Sequence, residues 1–206
     1  SAVEHLSTAL TPADRANTLN RIKQRLEDKN DDNWTLIATS CVEAGVDFSF
    51  NTGVREVASL VSLLQTAGRV NRHNNNHTAI VWSIILKEDG DLKKHPGLLD
   101  SSKVLLELLE DGSRISPALC TPALKREIRF AGHFLSTLKE YDERLQFPQV
   151  EKNFHVITSD TRTVVVGEEL IRKLESHYPV NWHDIQNSSV QIWGYRLDNL
   201  RIPEFE

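Results

Sequence analysis

The pattern of apolar and polar positions is clearest early in the chain, where a helical period gives way to a strand. Thr11, Pro12 and Asp14 mark a helix start. The threonine can cap the first turn, the proline suits the first helical position, and the carboxylate lies near the positive end of the helix dipole. Ala16, Leu19, Ile22 and Leu26 follow at helical spacing with charges between them, and the polar stretch 28–33 is expected to end the helix. Trp34-Thr35-Leu36-Ile37-Ala38-Thr39 then reads as a short buried strand. Residues 58–67 read as a second helix with Leu60, Leu63 and Leu64 as its apolar face. Asn74-Asn75-Asn76 is a loop, and 78–86 is a strand rich in β-branched residues. Strand, helix and strand in this order predict a parallel α/β sheet with catalytic loops at the strand ends.

Beyond residue 90 the pattern changes. Asp89-Gly90-Asp91 and His95-Pro96-Gly97 are turn signals, and helices are expected over 101–110 and 117–145. The remainder alternates short strands (154–157, 163–166 and 190–193) with a helix over 168–177. The expected organisation is therefore an α/β domain over 1–90, a helical linker over 91–150 and a smaller α+β region over 151–206.

Composition narrows the class. Hydrophobic residues at 39% and charged residues at 26% of 206 positions are ordinary for a globular chain. No apolar run approaches the roughly 20 residues of a membrane span, and no secretory signal opens the chain. Cys41 and Cys120 lie far apart without partners at metal spacing, which suggests reduced thiols and a cytoplasmic location. A formal net charge of −5 argues against blanket electrostatic binding of nucleic acid, but not against gripping a few phosphates in a narrow channel. Methionine is absent even at position 1, so the chain reads as a piece excised from a longer one.

Two segments carry candidate chemistry. The first, Ala38-Thr39-Ser40-Cys41-Val42-Glu43-Ala44-Gly45-Val46-Asp47, follows the predicted strand. A turn of small hydroxyl residues at a strand end exposes backbone N–H groups and hydroxyls that suit a phosphate backbone. Gly45 permits a tight bend, and Asp47 offers a carboxylate to a ribose hydroxyl. By itself this pattern equally fits an ordinary strand-to-helix connection. The second, Gln65-Thr66-Ala67-Gly68-Arg69-Val70-Asn71-Arg72, places two arginines three apart beyond a helix end. Guanidinium forks match phosphate oxygens bidentately and stay charged at physiological pH. A solvated helix end, where cations are favoured by the dipole, is the alternative. Both segments together, in this order and separation, favour phosphate chemistry.

At this point the chain resembles a known group. Residues 38–47 look like motif V and 65–72 like motif VI of superfamily-2 helicases. More narrowly, Val42 to Phe48 with the Gly-Arg-x-Asn-Arg run ending at Arg72 resembles the CRISPR-associated helicase of type I interference systems. His5-Leu6-Ser7-Thr8 followed by Arg15 is similar to that family's motif IV region. The tail, with Val164-Val165-Val166 and Ser189-Val190-Gln191-Ile192-Trp193, is similar to its C-terminal accessory domain.

The resemblance implies a second RecA-like domain: a parallel sheet with flanking helices, followed by an accessory region. Arg72 would be the arginine finger, with Arg69 beside it on the γ-phosphate of ATP. Gln65 and Gly68 would join the ATP side of an interdomain cleft. Asp47 would approach the ribose or a magnesium-linked water, with Gly45 shaping its loop. Thr39, Ser7 and Thr8 would touch the backbone of single-stranded DNA. Members commonly carry arginine where Thr66 stands, so that side chain's role is absent or supplied elsewhere. Expected partners are single-stranded DNA, a first RecA-like domain of the same protein and a CRISPR effector complex, with no membrane.

What is missing bears on mechanism. The sequence holds no Gly-x-x-x-x-Gly-Lys-Ser/Thr loop and no Asp-Glu-x-His/Asp box, so most magnesium contacts and the phosphate cradle are expected on the first motor domain, before Ser1. Isolated, the chain is expected not to hydrolyse ATP. His183-Asp184 lacks the histidine and aspartate set of an HD nuclease, His73 and His77 read as turn residues, and no metal site is expected. Lys125, Arg126 and Arg129 form a basic cluster, facing either DNA or solvent. Trp182 and Trp193 read as core or cover residues of the appendage, with stacking against a base as the other use of such rings. Two rival functions stay open: a nucleic-acid or partner-docking module that needs no ATP, and another superfamily-2 motor of RNA or restriction type.

Overall fold

The computed structural model describes residues 2–43, 45–73, 78–87, 98–130, 132–154 and 161–197. In chain order the first elements are β1 (Val3–Leu6), α1 (Pro12–Glu27), β2 (Thr35–Ala38), β3 (Thr52–Glu56), α2 (Leu60–Ala67) and β4 (Ile80–Ile84). There follow α3 (Leu99–Glu110), α4 (Cys120–Phe130), α5 (Gly132–Glu143), α6 (Phe147–Asn153), β5 (Thr161–Val165), α7 (Glu168–Glu175), α8 (Trp182–Asn187), β6 (Ser189–Trp193) and α9 (Gly194–Leu197). They gather into two compact units, one formed by Ser1–Val42 with Val156–Glu206 and the other by Glu43–His155.

In the first unit β1 and β2 pair in parallel, with Leu6 opposite Ala38, and α1 connects them. The predicted helix start is present: Thr11 Oγ1 accepts from the Asp14 N–H at 3.1 Å and donates to its carboxylate at 2.8 Å. Thr18 and Ile22 form the buried stripe of α1, and Leu6 is buried on β1. Glu4 occupies the other inward position of that strand. Two arginines of α1 make its burial tolerable, since Arg21 and Arg25 each reach its carboxylate at 3.2 Å. Arg25 also pairs with Asp31 at 2.7 Å and lies over the Trp34 ring, tying the helix to the entry of β2. The rest of this unit holds the antiparallel pair β5–β6, in register from Thr161 opposite Trp193 to Val165 opposite Ser189. Leu170 of α7 is buried there.

Burial pushes the Glu4 carboxyl up, but the hydrogen bonds and charges of Arg21 and Arg25 outweigh it and hold the group below its ordinary range. A carboxyl depressed in the folded state stabilises the fold above its unfolded pKa, and that contribution is lost as pH falls through the folded value. Thermal stability should therefore fall on acidification below about pH 4.3, the unfolded glutamate range. The pH dependence should be shallower in Glu4→Gln, and equal slopes for the two proteins would remove Glu4 as its source.

In the second unit β3, α2 and β4 form another parallel strand–helix–strand unit, with Thr52 opposite Ile80 and Glu56 opposite Ile84. Val57, Leu60, Leu63, Val104, Leu105, Leu108 and Ala123 pack into one core where α2 meets α3 and α4. Ser101 Oγ donates to Glu127 at 2.9 Å across α3 and α4, and Arg126 lies 3.5 Å from Glu107. Arg126 of the basic cluster is thus engaged by α3 carboxylates, while Lys125 and Arg129 are exposed.

The α/β class and the parallel pairing are as expected from the sequence. The single sheet expected from it is not what forms: the described strands make three two-stranded sheets. β2 pairs with β1 and β4 with β3, because each finds a neighbour in a strand the apolar pattern hid. The expected strand over 154–157 is also corrected in part, since Phe154 caps α6, while 155–157 lie outside the described residues. So do Ala44, the asparagine loop with His77, and the turn signals at 89–91 and 95–97. No helix among the described residues is long and apolar enough to cross a membrane.

Candidate functional site

The arginine segment leaves α2 as a short ladder. Ser59 caps the start of that helix by accepting from the Ser62 N–H at 3.1 Å, and Gly68 closes its end. Gly68 is right-handed (φ −67°), so its backbone makes no demand for glycine there. Val70 then bridges to Phe50: the Phe50 N–H donates to the Arg69 carbonyl at 2.8 Å, and the Asn71 N–H donates to the Phe50 carbonyl at 2.8 Å. Asn71 lies in the left-handed region at φ +48°, a conformation asparagine tolerates better than most residues. This bend turns the chain out of the bridge, and the Arg72 N–H donates to Ser49 Oγ at 3.0 Å.

Both arginines reach the 43–47 stretch of the other chemical segment. Arg69 Nη2 donates to the Glu43 carbonyl at 2.8 Å, and Arg72 Nε pairs with Asp47 Oδ1 at 2.9 Å. Gly45, between those two contacts, has φ +79°, a left-handed conformation that glycine adopts without steric cost. Gln65 is exposed on the last turn of α2. The Arg72 and Asp47 side chains are 41% and 71% exposed, and a pair so open to water is worth about 0–1 kcal/mol. An anion can therefore compete for Arg72 at little cost.

Several supports of this arrangement escaped the sequence analysis. Phe48 is 1% exposed and meets Phe50 edge to face with ring centroids 6.0 Å apart, which anchors the stretch carrying Asp47. Arg55 of β3 lies 2.8 Å from the Glu43 carboxylate. Gly53 leaves room for Val70: a Cβ there would sit 2.8 Å from its side chain, too close without a shift. Only the hydrophobicity of Phe48 could have signalled any of them, since strand β3 itself was not foreseen.

The residues expected to touch nucleic acid lie in the first unit, at the C-terminal ends of β1 and β2. The Thr39 N–H donates to the Leu6 carbonyl at 3.1 Å, which joins the two strand ends. Thr39 and Thr8 are exposed, whereas Ser7 is buried with its hydroxyl accepting from the Ala9 N–H at 3.2 Å. Ser7 thus shapes the turn that presents Thr8. Cys41 contacts the Leu6 carbonyl at 3.4 Å, and both cysteines are free thiols. The segment read as one unit over 38–47 accordingly divides, its first half ending β2 and its second half meeting the arginines. Among the described residues no three His, Cys, Asp or Glu side chains gather as a metal site.

Residues 1–75 match the family described as CRISPR-associated nuclease/helicase Cas3, C-terminal, a span that includes both chemical segments. That stretch is similar to the C-terminal part of Cas3. The Cas3 of Haloferax volcanii is 37% identical over 70 residues, covering 31% of this chain and 8% of that protein. The structure is similar to T. fusca Cas3 with ADP, at a TM-score of 0.60 and 12% identity over 93% of this chain and 29% of that one. T. fusca Cas3 with AMPPNP gives 0.58 at 14% identity, again over 93% and 29%. At such identities these structures speak to the fold alone, and the chain spans under a third of the Cas3 proteins it matches. The resemblance drawn from the two segments is shown by these matches.

Proposed function

We propose that this chain is the second RecA-like motor domain and accessory region of an ATP-dependent DNA helicase or translocase of CRISPR antiviral defence. The observation that carries this is the pair of contacts from Arg69 and Arg72 to the 43–47 stretch. Two cations brought to one loop, one of them in a weak exposed ion pair, suit a phosphoryl group supplied from outside. The proposed domains are 1–90 for the motor, 91–150 for the linker and 151–206 for the accessory region.

In this reading Arg72 leaves Asp47 for the γ-phosphate when the first motor domain brings ATP, and Arg69 adds a second guanidinium. The two neutralise charge that grows on the phosphoryl oxygens as water attacks, which is the electrostatic role such arginines take in phosphoryl transfer. Asp47, once released, accepts from the ribose or orients water, with Gly45 setting its loop. Gln65 and Gly68 line the nucleotide side at the end of α2. Thr39 and Thr8 meet the phosphates of single-stranded DNA through their hydroxyls and exposed backbone, and Ser7 holds their turn. Magnesium falls mainly to the first motor domain. The T. fusca structures with ADP and AMPPNP support nucleotide binding in Cas3 proteins. The proposed setting is cytoplasmic, with a CRISPR effector complex as partner.

Strand displacement by the full-length protein, on matched DNA and RNA duplexes with and without ATP, tests this. ATP-dependent opening of the DNA duplex is expected. Binding without ATP-driven opening would instead identify a docking module, and opening of RNA alone would identify an RNA motor.

A further inference from the structure

The first unit contains a cavity of about 420 Å³ that no expected site residue other than Thr8 explains. Its lining comes from both halves of that unit: Thr8 and Arg15 from the start of the chain, and Trp182, Gln186, Asn187 and Gln191 from the accessory region. The volume lies in the range of small-ligand pockets, roughly 300–1,000 Å³. The lining is chemically selective. Among the described residues it holds no carboxylate and one cation, Arg15.

Arg15 donates from Nη2 to the Thr8 and Leu10 carbonyls at 3.4 Å each, both long contacts. Its Nε is buried and meets no acceptor among the described residues. Trp182 is 68% exposed, a large apolar ring left in water at the cavity wall. Three primary amides stand beside it, able both to donate and to accept hydrogen bonds. Two of them are oriented already, since Gln191 Nε2 donates to Thr163 Oγ1 at 2.8 Å and Asn187 Nδ2 lies 3.1 Å from His183 Nδ1. A planar ring offered for stacking, amides that match donor and acceptor edges, and one cation without a facing carboxylate suit a planar heterocycle next to a phosphate. Thr8, expected to touch the DNA backbone, lies on the same wall.

We propose that this cavity seats a base of the single-stranded nucleic acid, stacked on Trp182 and met along its edge by the accessory-region amides. The proposal rests on the nucleic-acid reading above and adds to it a base-binding role for the accessory region.

The test measures binding of an oligothymidylate and of an abasic strand of equal length by the full-length protein. Removing a stacked base costs about 5- to 150-fold in affinity. The wild-type protein should therefore prefer the thymidylate by at least about 5-fold. Trp182→Ala should erase that preference while leaving affinity for the abasic strand unchanged, and Trp182→Phe should keep most of it. Equal affinity of the wild type for both strands would overturn the base pocket and leave backbone binding standing. A Trp182→Ala loss shared equally by both strands would overturn it too, because the ring would then act through structure. Competition by free thymidine monophosphate at micromolar concentration would reassign the cavity to a soluble nucleotide. Failure of the wild type to bind either strand would overturn the nucleic-acid reading itself.

Discussion

Replacing Arg72 with alanine is expected to lower DNA-stimulated ATP turnover of the full-length protein by about 10³-fold or more, the scale on which arginine fingers act. Nucleotide affinity should change far less, since the guanidinium matters most where charge develops on the phosphoryl group. Arg72→Lys keeps the charge but loses the bidentate fork, so it should recover only part of the rate. The Asp47 ion pair broken by the substitution is exposed and worth about 0–1 kcal/mol, so unfolding should be almost unaffected. Steady-state phosphate release with thermal unfolding in parallel separates these effects. Undiminished turnover in Arg72→Ala would remove the finger assignment.

Phe48→Ala should produce the largest stability loss near the site, about 3–5 kcal/mol. The ring is 1% exposed, and its edge-to-face partner Phe50 is itself bonded to Arg69 and Asn71 through the backbone. Deleting it opens a cavity beneath the stretch that joins Asp47 to the arginine bridge. The expected loss is a large share of the roughly 5–15 kcal/mol that stabilises a typical domain. Denaturant unfolding measures it, and a change below about 1 kcal/mol would contradict Phe48 as the anchor, given the usual cost of such truncations.

The sequence made some of this arrangement legible and concealed the rest for identifiable reasons. The start of α1 was readable because Thr11, Pro12 and Asp14 act locally, within one turn. The end of α2 was readable because an apolar face at helical spacing stops at Gly68. Strand β1 was not, since its inward positions are Glu4 and Leu6, and a glutamate breaks the apolar alternation. Only the distant arginines of α1 show why it is tolerated. Strand β3 was hidden too: Gly53 and Glu56 are poor strand formers, and the segment is extended because β4 pairs with it. Both hidden strands are partners of visible ones, which is why a single sheet was expected where two parallel pairs form.

The candidate site shows the same division. Arg69, Arg72, Gly45 and Asp47 were singled out through residue type and spacing, and the structure brings both arginines to the 43–47 stretch. Their supports were out of reach because they act across the chain. Ser49 accepts from the Arg72 backbone, and Gly53 makes room for Val70. Asn71 belonged to the recognised pattern, but its positive φ and its part in aiming Arg72 belong to the folded chain.

In the proposed mechanism Arg72 exchanges a carboxylate for a phosphate. A crystal structure of the full-length protein with AMPPNP tests it most directly. The Arg72 guanidinium is expected within hydrogen-bonding distance of the γ-phosphate, about 2.7–2.9 Å, with Asp47 released. An Arg72–Asp47 pair still at 2.9 Å with the nucleotide bound across the two motor domains would contradict it.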